Sequence, residues 1–196
     1  GLMSLAKEIS GVNYIYDPNP NGDNNWSGSH DNQMYIYSGG NDFCDASRGT
    51  DYVGVYFNRS ETTLTKDHLG TYSLTTPNGR IKISSAEEII FKDQSVALDE
   101  FPADYLWDQN PNGDNNWSGS HDNQMYVYSG GNDFYDASRG TDYLGVYFNR
   151  SETTLTKDHL GIYSHTTTNG RVKLSSVEKI IFKDQSVALD EFPADY

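Results

Sequence analysis

The residues with the clearest chemical potential are acidic and amide side chains set at short, repeated intervals. Between Gly113 and Leu144 a polar acceptor stands two residues before an apolar one four times: Asn115-x-Trp117, Asn123-x-Met125, Asp133-x-Tyr135 and Asp142-x-Leu144. The steps are 8, 10 and 9 residues, and Gly22 to Val53 repeats the series. A step near nine, with Gly140-x-Asp142 following Gly131-x-Asp133, suits a parallel β-roll, which alternates a glycine-rich turn with a very short strand carrying one inward side chain per rung. Stacked turns stack their carboxylates, and these repel unless a hard cation lies between them. Calcium, which takes six to eight oxygen ligands in flexible geometry, is the ion implied. The roll candidates are Asp31, Asp42, Asp45 and Asp51, with Asp122, Asp133, Asp136 and Asp142 in the second copy.

A second candidate precedes each roll. Asp17, Asn19, Asn21 and Asp23, with Gly22, and their twins Asp108, Asn110, Asn112 and Asp114, with Gly113, place oxygen-bearing side chains at alternate positions of a tight turn. Such residues point at a common centre, as in the first half of an EF-hand loop. The twelfth position is Gly28 or Gly119 rather than a bidentate Glu, which rejects the helix-flanked EF-hand. A calcium loop of other architecture and a plain Asn/Pro/Gly turn both remain open.

Ser129-Gly130-Gly131-Asn132-Asp133-Phe134-Tyr135-Asp136, then Gly140-Thr141-Asp142, and later Val177-Glu178-Lys179-Ile180-Ile181-Phe182-Lys183-Asp184, resemble the RTX, or haemolysin-type, calcium-binding repeat proteins and the antiparallel segment that often follows their roll. The family nonapeptide is G-G-x-G-x-D-x-U-x, with U apolar. Here Tyr128-Ser129 and Ala137-Ser138 stand where the leading glycine pair would be, and Asn115 and Asn123 where Asp would be. The resemblance implies a calcium-loaded roll in a large secreted or cell-surface protein that folds after export.

The units that must position these residues are visible as an internal repeat. Tyr14 to Asp104 aligns without a gap onto Tyr105 to Asp195 at an offset of 91, and 13 differences leave 78 identities. The organisation expected is a lead-in over 1–13, one repeat unit over 14–104 and a second over 105–196, with Tyr196 opening a further copy of a longer array. The formal charge is −14, and between Asp17 and Asp51 six acids face Arg48 alone, a balance of −5. Nucleic acid and anionic membranes are poor partners for such a surface, and no run of 18 apolar residues spans a membrane. A single cysteine, Cys44, excludes an internal disulfide and reads as a small buried filler.

The fold class expected is all-β: two tandem domains, each a short parallel β-roll-like segment capped by antiparallel strands. Tyr14-Ile15-Tyr16 and Tyr105-Leu106-Trp107 open the units as short strands, while Leu2-x-x-Leu5-x-x-x-Ile9 is compatible with a short helical stretch. The inward set is Trp26, Met34, Cys44 and Val53, with Trp117, Met125, Tyr135 and Leu144; Tyr35, Tyr37, Phe43 and Tyr52 lean the other way. These aromatics either pack against the second half of the unit or form a platform for a sugar ring, with Trp26 and Trp117 beside calcium. From Gly54 to Asp104 short alternating strands, with Asn78-Gly79 as a hairpin turn, read as an antiparallel sheet that caps the roll. Lys66, Arg80, Lys82 and Lys92 read as solvated strand charges.

The histidines lack zinc spacing, and no G-x-S-x-G elbow occurs. The function expected is therefore a non-enzymatic, calcium-binding tandem module, structural or adhesive, of an extracellular or cell-surface protein. The alternative is a calcium-dependent carbohydrate-binding module attached to a polysaccharide-active enzyme, with polysaccharide or a cell-surface glycan as partner.

Overall fold

The computed structural model describes residues 4–99 and 104–190. The protein is all-β and divides into two compact units at 101/102. In the first, β1 (Asn13–Tyr16), β2 (Asn25–Ser27), β3 (Gln33–Tyr37), β4 (Gly40–Asp45) and β5 (Tyr52–Val55) alternate between two sheets. They are followed by β6 (Thr63–Lys66), β7 (Tyr72–Thr76), β8 (Gly79–Ser84), β9 (Glu88–Ile90) and β10 (Ser95–Ala97). One sheet has the order β1-β3-β5-β9-β10 and the other β2-β4-β8-β7-β6. The second unit repeats this with ten strands, β11 to β20, between Asp104 and Ala188.

Each pair of alternating strands is one coil. Asn25 lies beside Phe43 and Met34 beside Tyr52, so a coil takes 18 residues, two of the nine-residue steps. Glycine is required where coils meet most closely. Gly40 has φ +83, and a β-carbon there would collide with the Gly22 carbonyl of the preceding coil.

The second half of each unit is less separate than the alternation of its strands suggests. β6, β7 and β8 form an antiparallel run, as expected, with Gly79 at φ +136 in the turn. Yet β8 returns parallel to β4, and β9 parallel to β5, so the roll continues by a further coil whose edges are the antiparallel strands.

The core lies between the sheets. Tyr35, Val53 and Ile89 from one sheet meet Cys44, Leu74, Ile81 and Ile83 from the other. Met34 and Ile36 are also buried, but on the outer face of the first sheet, where Leu5, Ile9 and Val12 of the lead-in cover them. That segment carries no helix among its described residues; the Ala6 amide donates to the Phe91 carbonyl at 2.7 Å, and Lys7 pairs with Glu88 at 2.6 Å. Leu2, positions 100–103 and Tyr196 lie outside the described residues.

Candidate functional site

The register of the third strand corrects the rung assignment. Tyr35 pairs with Val53 and points inward with it, whereas Met34 pairs with Tyr52 and faces out. The second rung is therefore Gln33-x-Tyr35, and the acceptors fall at 24, 33, 42 and 51, steps of nine throughout. Choosing Asn32 instead shifts one strand by a residue, which turns every side chain to the opposite face. Tyr37 is likewise inward, 1% exposed. The second unit has Asn115, Gln124, Asp133 and Asp142 before Trp117, Tyr126, Tyr135 and Leu144.

Each acceptor is the second member of a doublet, and the two members hold opposite neighbours. The later residue reaches back: Asp42 Oδ1 accepts from the Asn24 amide at 3.0 Å, Asp51 Oδ1 from the Gln33 amide at 2.9 Å, and Glu87 Oε2 from the Asp51 amide at 2.7 Å. The earlier residue reaches forward: Asp23 accepts from the Asn41 amide at 3.1 Å, Asn32 from the Thr50 amide at 2.8 Å, and Asn41 from the Arg80 amide at 3.2 Å. These ladders supply partners for turn amides that the sheets leave over. The second unit repeats them, including Asn115 to Asp133 at 2.9 Å and Asn132 to Asp114 at 3.0 Å.

The entry loop does not converge on a centre. Asp17 accepts four hydrogen bonds: from the Asn19 amide (3.1 Å) and Asn24 Nδ2 (2.6 Å) on one oxygen, and from the Ser38 and Gly39 amides (2.9 and 3.2 Å) on the other. Asn24 Nδ2 also lies 3.3 Å from Asp42 Oδ1, so a carboxamide stands between two carboxylates where a cation would otherwise be needed. Asp108 and Asn115 repeat the contact at 2.7 Å. The Tyr35 hydroxyl occupies the other oxygen of Asp42 at 3.0 Å, and burial pushes the Asp42 carboxyl above the ordinary range. Asn19, Asn21, Asn110 and Asn112 are exposed. Asp31 and Asp122 bond their own Ser29 and Ser120, and Asp45 and Asp136 the Ser47 and Ser138 amides.

Calcium needs six or more oxygens turned to one point. Among the described residues no three His, Cys, Asp or Glu side chains are gathered as a metal site would require. At Asp17 and Asp42 the oxygens are already taken by N–H and O–H donors. Around Asp17 and Asp42 the donor sets do not fit the ion, and hydrogen-bond ladders join the coils there.

Trp26 and Trp117 belong to the packing of their units. Both are half-buried, pack against the cores, and stack on Tyr35 and Tyr126 with ring centroids 5.4 and 6.0 Å apart. Cys44 is fully buried, its thiol pushed well above the ordinary range by desolvation; its twin Tyr135 fills the same place against Trp117 at 4.5 Å.

An open groove lies on the outer face of the second sheet and takes in two of the candidate carboxylates, Asp23 and Asp42. Asp23, Asn24, Asn25, Asn41, Asp42, Phe43, Arg80 and Lys82 line about 290 Å³, and the twin residues Asp114 to Lys173 line about 260 Å³. Parallel pairing sets Phe43 beside Lys82 on one flank and Asn25 on the other, and Asn41 beside Arg80.

No family model matches the chain, and no curated protein does. Among solved structures, the extracellular lipase LipA from Serratia marcescens is similar at 13% identity and a TM-score of 0.24, over 86% of this chain. The match spans 38% of that lipase's length.

Sequence reasoning missed the groove because its residues are some 40 positions apart, and only the β4–β8 register joins them. The doublets Asp23-Asn24, Asn32-Gln33 and Asn41-Asp42 were a usable signal for the ladders.

Proposed function

We propose that the chain is a non-enzymatic, repeat-built adhesive module of a secreted or cell-surface protein. Export rests on the resemblance of its turns to the RTX family. One observation carries the adhesive reading: where the two copies differ. On the second sheet four positions change, Cys44 to Tyr135, Leu74 to His165, Ile81 to Val172 and Ile83 to Leu174, and in the first unit all four are fully buried. No outward position of that sheet changes.

That distribution runs against stability alone. Exposed substitutions usually stay within about 0.5 kcal/mol, whereas core exchanges of this kind commonly cost more. An outward face held constant while the interior beneath it is repacked points to a constraint outside the fold, a surface that each unit presents to the same ligand. Repetition then adds avidity.

The test is retention of the full chain on immobilised extracellular polysaccharide and cell-surface preparations, beside a variant carrying Lys82→Glu and Lys173→Glu. The reading expects the wild type to be retained and the variant to be lost at unchanged circular dichroism. Equal retention of the two would remove the outward face from the account.

A further inference from the structure

We infer that the groove on the outer face of the second sheet, one in each unit, is a binding site for a neutral sugar residue of a polysaccharide. The inference deepens the adhesive reading and rests on it. Three observations converge.

The first is the pair of cations. Arg80 and Lys82 are exposed, two residues apart on β8, and project to the same side of the sheet. Their side chains make neither an ion pair nor a hydrogen bond among the described residues, and neither do those of Arg171 and Lys173. Lysine on a sheet commonly blocks an exposed edge. β8 is no edge: it lies between β4 and β7. Arg80 and Lys82 in one unit, and Arg171 and Lys173 in the other, thus present donors to the groove in a chain of formal charge −14, with Asp158 as a charged neighbour of Lys173.

The second is the company they keep. Asp23 and the carboxamides of Asn25 and Asn41 share the groove with them, around the half-buried ring of Phe43. Cations offer donors only, carboxylates acceptors only, and carboxamides both. A sugar hydroxyl is donor and acceptor at once, so such a rim can satisfy several hydroxyls, while the phenyl face accommodates the C–H side of a pyranose. A phosphorylated or sulfated ligand would meet the cations but also Asp23 and the acidic surround. The mixture of signs favours the neutral sugar.

The third is size and repetition. At about 290 and 260 Å³ the grooves are at the small end of small-molecule sites, scaled to a single ring. All eight lining residues are the same in both units, although Cys44, Ile81 and Ile83 beneath them are exchanged in the second copy.

The experiment measures binding of the full chain to soluble neutral glucan, galactan and mannan, with polyuronate and chondroitin sulfate as acidic arms. The variants are Arg80→Gln/Lys82→Gln/Arg171→Gln/Lys173→Gln, and Phe43→Leu/Phe134→Leu, each checked by circular dichroism for an unchanged fold. The result expected is binding to at least one neutral glycan, weakened tenfold or more in either variant, since charge-assisted and aromatic contacts are lost while the strands are kept. Neutral-glycan binding that both variants retain would overturn the site. Binding confined to the acidic polymers would overturn the ligand class but leave the adhesive reading standing. No binding to any glycan, with the chain still retained on cell-surface preparations, would overturn the inference alone; loss of both would overturn the adhesive reading too.

Discussion

Replacing His165 with leucine, the residue at the matching position 74, should stabilise the second unit, and increasingly so as the pH falls. His165 lies on β17 (Tyr163–Thr167), opposite Leu155 and Val172, with its ring 5.5 Å from Phe182. It is fully buried, and neither ring nitrogen has a hydrogen-bond partner. Leaving such groups unsatisfied costs about 1 to 3 kcal/mol even at neutral pH. Burial pushes the His165 pKa from 6.5 down to about 4, and the nearby charge of Arg150 acts in the same direction. Above pH 6.5 the ring is neutral in both folded and unfolded chains. Between 6.5 and 4 the unfolded chain binds a proton that the folded chain refuses, so stability falls with pH. Below 4 both are protonated and the loss levels off. The loss across that window is about 3 kcal/mol, since each pH unit is worth about 1.4 kcal/mol. For a unit of this size it corresponds to a difference in melting temperature of roughly 10 to 20 °C. The assay is calorimetry of the full chain from pH 8 to pH 4, wild type against His165→Leu. The carboxylates titrate alike in both proteins, so the difference isolates the histidine. Equal acid sensitivity would refute the reasoning.

Three further substitutions probe the turns. Asn24→Asp with Asn115→Asp replaces the carboxamide between two carboxylates by a third carboxylate; each unit should lose about 2 kcal/mol in chelator and regain stability in calcium, as read from thermal melts. Asp42→Ala leaves the Asn24 amide and the Tyr35 hydroxyl without their acceptor, and urea unfolding should show a loss of about 2 kcal/mol that added calcium does not change. Ser138 has φ +63, in the left-handed region that favours glycine; Ser138→Gly should raise stability by about 1 kcal/mol in the same urea experiment.

Much of the architecture was legible because it is periodic. The nine-residue step and the change to an antiparallel run after the fifth strand both follow from residue spacing. The register of one rung was not, because Asn32 and Gln33 are both acceptors and Met34 and Tyr35 both apolar. The neighbours at 24, 42 and 51 select Gln33 once a uniform step is demanded, and the buried Tyr35 obeys it. The parallel return of β8 and β9 was hidden because their partners lie 39 and 36 residues back, beyond the reach of local patterns. For the carboxylates, spacing shows where oxygens gather but not which donors face them. Only the stacking of coils shows the Asn24 carboxamide and the turn amides in that role.

The claim on which the account rests is that these ladders close the roll. Thermal melts of the full chain in millimolar calcium, in equimolar magnesium and in excess chelator test it most directly. The account predicts melting temperatures within a few degrees of one another and the same β-sheet circular dichroism throughout. A rise of ten degrees or more that is specific to calcium, or a chain unfolded in chelator, would contradict it and return Asp17, Asp42 and Asp51 to the role of ligands.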